Sequence, residues 1–264
     1  MLKMRILTAC CLFPIVIGML FLPKEWFDLA IGLVLIVSAW EYSSLINLSL
    51  YLYRVLYTLL LVFVYAIGLI FPYPFLFVGT LFWLIATIFL VKYPFGNAQW
   101  NAWRWLPPLV GFLMLCPASL ALAVLHSMPH GWEWVLFLLL LVWAADIGAY
   151  FSGRFWGKHP LAPLVSPKKT IEGFYGAFFA VMLVMGVYLC IWHFSIFRQP
   201  LFFVLVLLIF LFSVIGDLVE SGIKRWMNVK DSGGILPGHG GILDRIDSLL
   251  AAAPFFALGI KLLS

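Results

Sequence analysis

The sequence predicts an all-α fold: a polytopic integral membrane bundle of about nine transmembrane helices, one domain over residues 1–264, with a cytoplasmic N-terminus. Three observations carry this expectation. Of the 264 residues 65% are apolar and 10% charged, with a mean hydropathy of +1.10, whereas a soluble domain carries about 25% charged residues. Apolar windows of about 20 residues, long enough for a helix to cross the hydrocarbon core, recur along the whole chain. These windows are continuous, unlike the short alternating segments of a barrel. Such hydrophobicity excludes a disordered chain. Four cysteines, Cys10, Cys11, Cys116 and Cys190, all sit in apolar runs without CxxC or Cys/His spacing, which argues against a disulfide scaffold or a zinc site.

The expected spans are Ile6–Leu22, Phe27–Leu48, Val55–Phe71, Phe75–Val91, Leu106–Leu125, Trp132–Tyr150, Phe174–Phe194, Leu201–Gly222 and Leu249–Leu263. The first follows Met-Leu-Lys-Met-Arg like a signal peptide, but it is long, lacks a small-x-small cleavage site and runs almost directly into the next span. It is read as a retained helix. Phe71-Pro72-Tyr73-Pro74 and Pro107-Pro108 punctuate span ends, while Gly111 and Pro117 fall inside a span as candidate kinks. Trp100, Trp103, Trp105, Trp132 and Trp134 cluster at span ends, as an interfacial aromatic belt does.

Nine spans with a cytoplasmic N-terminus place thirteen of the sixteen Lys and Arg residues on one side, leaving only Lys24, Arg198 and Lys261 on the other. This is a strong positive-inside asymmetry. It makes the two long polar loops cytoplasmic, and it assigns the net charge of +5 to orientation and anionic headgroups rather than to nucleic acid. The helices of residues 1–130 carry little polar chemistry; residues 131–264 hold the candidate catalytic helices and loops.

Seven of the eleven acidic residues lie from Asp146 onward: Asp146, Glu172, Asp217, Glu220, Asp231, Asp244 and Asp247. Asp217 and Glu220 interrupt an apolar run, where an ionised carboxylate costs several kcal/mol unless it faces a partner, a metal or a polar cavity. They are expected to face the bundle interior; internal pairing is the plainer alternative, since Ser221 and Lys224 follow on the same side. Asp217 before the loop, with Asp244 and Asp247 after it, can fold together around a hard cation such as Mg²⁺, which takes carboxylates together with substrate phosphates. Lys224, Arg225, Lys230 and Arg245 can neutralise phosphate oxygens. Gly238, Gly240 and Gly241 let the backbone approach a ligand. His239 is a phosphate donor or a brace within its loop. Asp244 and Asp247 also sit where a helix dipole favours carboxylates whatever their function. Glu41, near the end of the second span, is either a cation partner or part of a polar cavity.

In the second loop, LVSPKKTIEGFYG, Ser166, Pro167, Thr170 and Glu172 read simply as the start of the next helix. Lys168 and Lys169 are then either headgroup contacts or a lysine pair aimed at a triphosphate. Asp146 and Tyr150 lie near the same surface.

The stretch SGIKRWMNVKDSGGILPGHGGILDRID, Ser221 to Asp247, resembles the signature of the phosphatidate cytidylyltransferase (CDP-diacylglycerol synthase) family without departure. WAADIGAYFSGRFWGKH and SPKKTIEG look like the same family, so the resemblance covers roughly Trp143 to Asp247. It implies transfer of a cytidylyl group from CTP to phosphatidate, with Mg²⁺ and room for a second cation. It also implies an integral protein of the bacterial inner membrane with its active site on the cytoplasmic face, and a homodimer as a compatible assembly. On this reading Asp217, Asp244 and Asp247 are metal ligands, and Lys224, Arg225, Lys230, Asp231 and Arg245 complete the catalytic set. Ser166, Lys168, Lys169, Thr170, Ser221, Gly238, His239, Gly240, Gly241 and Asp146 line the substrates. A polar cavity open laterally to the lipid is expected, because phosphatidate stays in the bilayer while CTP arrives from water. A secondary transporter would place its charges near the midplane on broken helices, and here they crowd one face. A CDP-alcohol phosphotransferase would carry a DGxxAR motif, which the chain lacks.

Overall fold

A computed structural model describes residues 2–92, 106–191, 199–229, 231–235 and 240–263. Among these it contains α1 (Leu2–Leu20), α2 (Lys24–Leu45), α3 (Tyr51–Ile70), α4 (Pro72–Lys92), α5 (Leu106–Ser127), α6 (Gly131–Trp156), α7 (Ile171–Ile191), α8 (Gln199–Trp226) and α9 (Leu243–Leu263). A hairpin of β1 (Pro160–Ala162) and β2 (Ser166–Thr170) lies between α6 and α7. Eight helices, α2 to α9, are long and apolar enough to cross a membrane; in α1 the apolar stretch is shorter, Cys10–Leu20. The chain is a polytopic helical membrane protein.

Burial sorts the helices. About 61% of the apolar window of α5 and 56% of those of α8 and α9 are covered by protein, against 17% for α7. α9 packs against α8, α5, α4, α6 and α2, and its Ala251, Ala252, Ala253 and Ala257 are fully buried. Lipid tails are as apolar as any core, so close approach through small residues drives helix association here more than water exclusion does. α6 and α7 form the most extensive pair; a side chain at Gly148 would meet the Gly176 carbonyl at 2.5 Å.

The prolines fall where expected. α3 stops at Ile70 and α4 starts at Pro72, a position whose missing N–H would have had no intrahelical partner. Pro107 and Pro108 occupy the first turn of α5, and their carbonyls accept the hydroxyls of Tyr42 (2.8 Å) and Tyr57 (3.1 Å), tying α2 and α3 to it. Trp132 and Trp134 open α6, whereas Trp100, Trp103 and Trp105 lie outside the described residues.

Two expectations need correction. Ser166–Thr170 is not the first turn of a helix but a strand, paired antiparallel with Pro160–Ala162. The helix begins only at Ile171, where the Thr170 hydroxyl accepts the Gly173 amide at 3.1 Å as an N-cap. The helices of the polar face also outrun their apolar windows. α6 continues to Trp156, α8 to Trp226, and α9 starts six residues early at Leu243, because the charged residues there pair with one another and with loop amides instead of ending the helix. α8 closes with Asn228 in the left-handed region (φ 56°) and the Val229 amide on the Lys224 carbonyl at 2.9 Å, a helix-ending turn that satisfies late carbonyls.

Candidate active site

Strict alternation of the helices brings the C-terminal ends of α2, α6 and α8, the N-terminal ends of α7 and α9, and the hairpin to one face of the bundle. The hairpin is tied at both sides. Glu172, in the first turn of α7, accepts the Lys158 and His159 amides at 3.0 and 3.2 Å and pairs with the His159 ring at 2.6 Å. The Arg225 Nε, at the end of α8, donates to the Val165 carbonyl at 3.3 Å. These ties set β2 over α8, and the Lys169 ammonium forms an ion pair with Asp217.

That pair lies on the wall of a cavity of about 500 Å³ between α6, the hairpin, α7 and α8. Asp146, Tyr150, Arg154, Lys168, Lys169, Thr170, Asp217 and Ser248 supply its polar groups, and Ala145, Ala149, Ala177 and Val214 much of its apolar wall. Ser221 donates to the other Asp217 oxygen at 3.3 Å. Asp146, Asp217 and Asp247 lie within electrostatic reach of one another and of Lys169, and Asp146 also of Arg245. Gly216 makes this convergence possible: a side chain there would press on the Asp247 carbonyl at 2.6 Å.

A second, buried cluster stands beside the first. Lys224 pairs with Glu220, one turn earlier on α8, and with Asp244 at 2.7 Å. Asp244 in turn accepts the Ser232 amide at 3.1 Å and the Gly241 amide at 2.8 Å. Glu41 reaches across from α2 to accept the Leu243 amide at 2.9 Å, placing a carboxylate on an orphan donor at the positive end of α9. Gly233 and Gly241 pack against that carboxylate so closely that a Cβ on either would stand 2.6 Å from one of its oxygens. Glu41 thus ties Gly233, Gly241 and the start of α9 to α2.

Asp217 and Glu220 both face inward, as expected, Glu220 completely buried. Asp217, Asp146, Lys168, Lys169 and Thr170 are brought together at the cavity, with Asp247 near them. Asp244 is held apart in the Lys224 cluster. Among the described residues no three His, Cys, Asp or Glu side chains are arranged to hold a metal ion. The donor chemistry at the cavity still fits Mg²⁺, which needs only one or two carboxylates when substrate phosphates and water complete its shell. Ser166 lies on β2 outside the cavity lining, Asp231 and Arg245 are exposed, and Gly240 turns with φ 84° over Asp244. Lys230, Gly238 and His239 lie outside the described residues. Arg154, counted from the sequence only for orientation, is the charged cavity residue that sequence reasoning missed, along with Ser213 and Ser248; the i,i+4 spacing of Arg154 from Tyr150 was the available signal.

Carboxylates and amines around a cavity at one end of a membrane helix bundle are the groups that a membrane-embedded enzyme of phosphate chemistry needs. Residues 3–263 match the family profile described as "Cytidylyltransferase family", and the chain belongs to that family. It is 40% identical over 262 residues to the phosphatidate cytidylyltransferase of Pseudomonas aeruginosa, covering 97% of this chain and 96% of that protein. It is 37% identical over 287 residues to that of Haemophilus influenzae, covering 97% and 98%. To that of Staphylococcus aureus it is 48% identical over 127 residues, 47% of this chain and 48% of that protein.

Proposed function

We infer that this chain transfers a cytidylyl group from CTP to phosphatidate, forming CDP-diacylglycerol and releasing pyrophosphate. The observation that carries this reading is near full-length similarity to proteins named for that activity, joined to a cavity lined by Lys168, Lys169, Asp146 and Asp217. A phosphatidate oxygen attacks the α-phosphorus of CTP in line, the bond from α-phosphorus to the bridging oxygen breaks, and pyrophosphate leaves with both electrons of that bond. Such a reaction asks the protein mainly to position and neutralise.

Lys169 is placed to exchange its contact with Asp217 for a phosphate oxygen, and Lys168 on the adjacent strand position adds a second cation. Mg²⁺, when bound, neutralises phosphate charge and orients the leaving group; Asp217 and Asp247 are the residues we assign to it. Both oxygens of Asp244 already accept hydrogen bonds, so its assigned role is to hold Lys224 and the loop amides, and it joins the metal shell only by giving up those contacts. Arg225, Lys230 and Arg245 are assigned to phosphate oxygens without division between the two substrates, and Asp231 with Gly238, His239, Gly240 and Gly241 to the lining of the site. The topology read from the sequence, which assigns thirteen of the sixteen basic residues to one side, supports a cytoplasmic site and a cytoplasmic N-terminus. The bacterial relatives support the inner membrane as the location.

The test is conversion of labelled CTP and phosphatidate to CDP-diacylglycerol by purified protein in detergent, with Mg²⁺ and with EDTA. Product that depends on Mg²⁺ is expected. Absence of product from folded protein across several lipid conditions overturns the reading.

A further inference from the structure

The cavity wall carries five charged residues, Asp146, Arg154, Lys168, Lys169 and Asp217, and their pairing is uneven. Lys169 is neutralised by Asp217. Arg154 has no carboxylate partner among the described residues; its Nη1 donates to the Tyr150 hydroxyl at 2.5 Å, and the guanidinium carbon lies 5.8 Å from the centre of that ring. A guanidinium left on a phenol, beside a cavity, is a cation available to an anion, and its planar fork suits a phosphate better than an ammonium does.

Its surroundings say which anion. Ile147, Tyr150, Phe151 and Phe155, each more than half exposed, follow the helical i, i+3, i+4 spacing and make with Arg154 one stripe on the outer side of α6. The rings of Tyr150 and Phe151 stand 5.4 Å apart and those of Phe151 and Phe155 6.3 Å apart, so the stripe is a continuous apolar surface of roughly 12 Å along the helix. Arg154 lies near the polar end of this stripe, while it and Tyr150 also line the cavity. An apolar strip that leads along the bundle perimeter to an unneutralised cation is complementary to an anionic lipid: acyl chains on the aromatic face, phosphomonoester on the guanidinium. A nucleobase could cover one ring of the strip but not its length of roughly 12 Å, which suits an acyl chain.

We propose that Arg154, backed by Tyr150, is the binding residue for the phosphatidate headgroup, and that this outer side of α6 is the lipid's entrance to the cavity. The proposal rests on the activity inferred above and divides the cavity: Arg154 takes the lipid phosphate, Lys168 and Lys169 the nucleotide phosphates. Arg154 is thereby a specificity determinant for a phosphate-bearing lipid over neutral diacylglycerol.

Steady-state kinetics in mixed micelles test it, varying phosphatidate at saturating CTP and then the reverse. Arg154→Ala is expected to raise KM for phosphatidate roughly tenfold or more, leaving KM for CTP within about twofold. Arg154→Lys is expected to recover part of the loss, and Tyr150→Phe, which removes one hydroxyl, to shift the same constant by a smaller factor. Equal rises in both KM values, a rise for CTP alone, or a fall in kcat with KM unchanged would each overturn the assignment. Should Arg154→Ala fail to fold, Arg154→Lys and Tyr150→Phe carry the same test. Calorimetric binding of short-chain phosphatidate and of diacylglycerol without CTP separates this claim from the inferred activity. Preference for phosphatidate that Arg154→Ala abolishes supports the lipid site even if turnover is never seen, and a preference unchanged in the variant contradicts it even if turnover is normal.

Discussion

The two halves of the chain use the same apolar alphabet for different ends. In α1 to α5, buried polar groups serve as single ties: Tyr42 and Tyr57 to the Pro107 and Pro108 carbonyls, and Tyr65 to the Asp28 carbonyl at 3.0 Å. In α6 to α9, carboxylates and amines gather at one end of the helices and pair across elements, Lys169 with Asp217 and Lys224 with both Glu220 and Asp244. Glu41 alone among the carboxylates of the first half enters that assembly, by holding the start of α9. A membrane helix tolerates a charge only where something compensates it, so the concentration of charge in the second half marks where compensation is built and where an anionic substrate can replace part of it.

The contrast can be broken experimentally. The largest effect is expected at Lys224. Lys224→Met leaves Glu220 and Asp244 facing each other without their cation, a loss of about 3–5 kcal/mol for a buried pair, measurable as a lower unfolding midpoint in detergent; adding Glu220→Gln is expected to restore part of it. Lys169→Ala is expected to lower kcat/KM by roughly 10²-fold with little change in the midpoint, because that lysine is 25% exposed at the cavity and its assigned task is to meet charge on the reacting phosphates. Glu41→Ala removes the acceptor of the Leu243 amide and is expected to cost about 1–3 kcal/mol, while Glu41→Gln, which keeps a carbonyl oxygen, recovers much of it. Smallest is Leu60→Ala on the outer face of α3, where the side chain is half exposed; a change within about 0.5 kcal/mol is expected.

Much of this arrangement was legible from composition and spacing. Continuous apolar windows located α2 to α9, the basic residues set apart one face, and the cost of charge in the bilayer turned Asp217 and Glu220 inward. The hairpin was not legible: Ser166-Pro167-Lys168-Lys169-Thr170 has no apolar alternation to betray a strand, and the hairpin is tied down by Glu172 and Arg225 from other elements. Nor was the role of Glu41, whose partner lies 202 residues away. The helix ends were misjudged for one reason. Hydropathy records where the lipid stops, whereas α6, α8 and α9 stop where their caps and ion pairs stop.

The central claim is that the Asp217 side of the cavity carries the chemistry rather than merely balancing Lys169. Asp217→Asn tests it most directly, because the amide keeps the shape and can still accept from Ser221 while losing the charge. The account expects turnover of CTP and phosphatidate to fall by roughly 10³-fold in protein that elutes and unfolds like the parent. Mg²⁺-dependent turnover at the parental rate would contradict it.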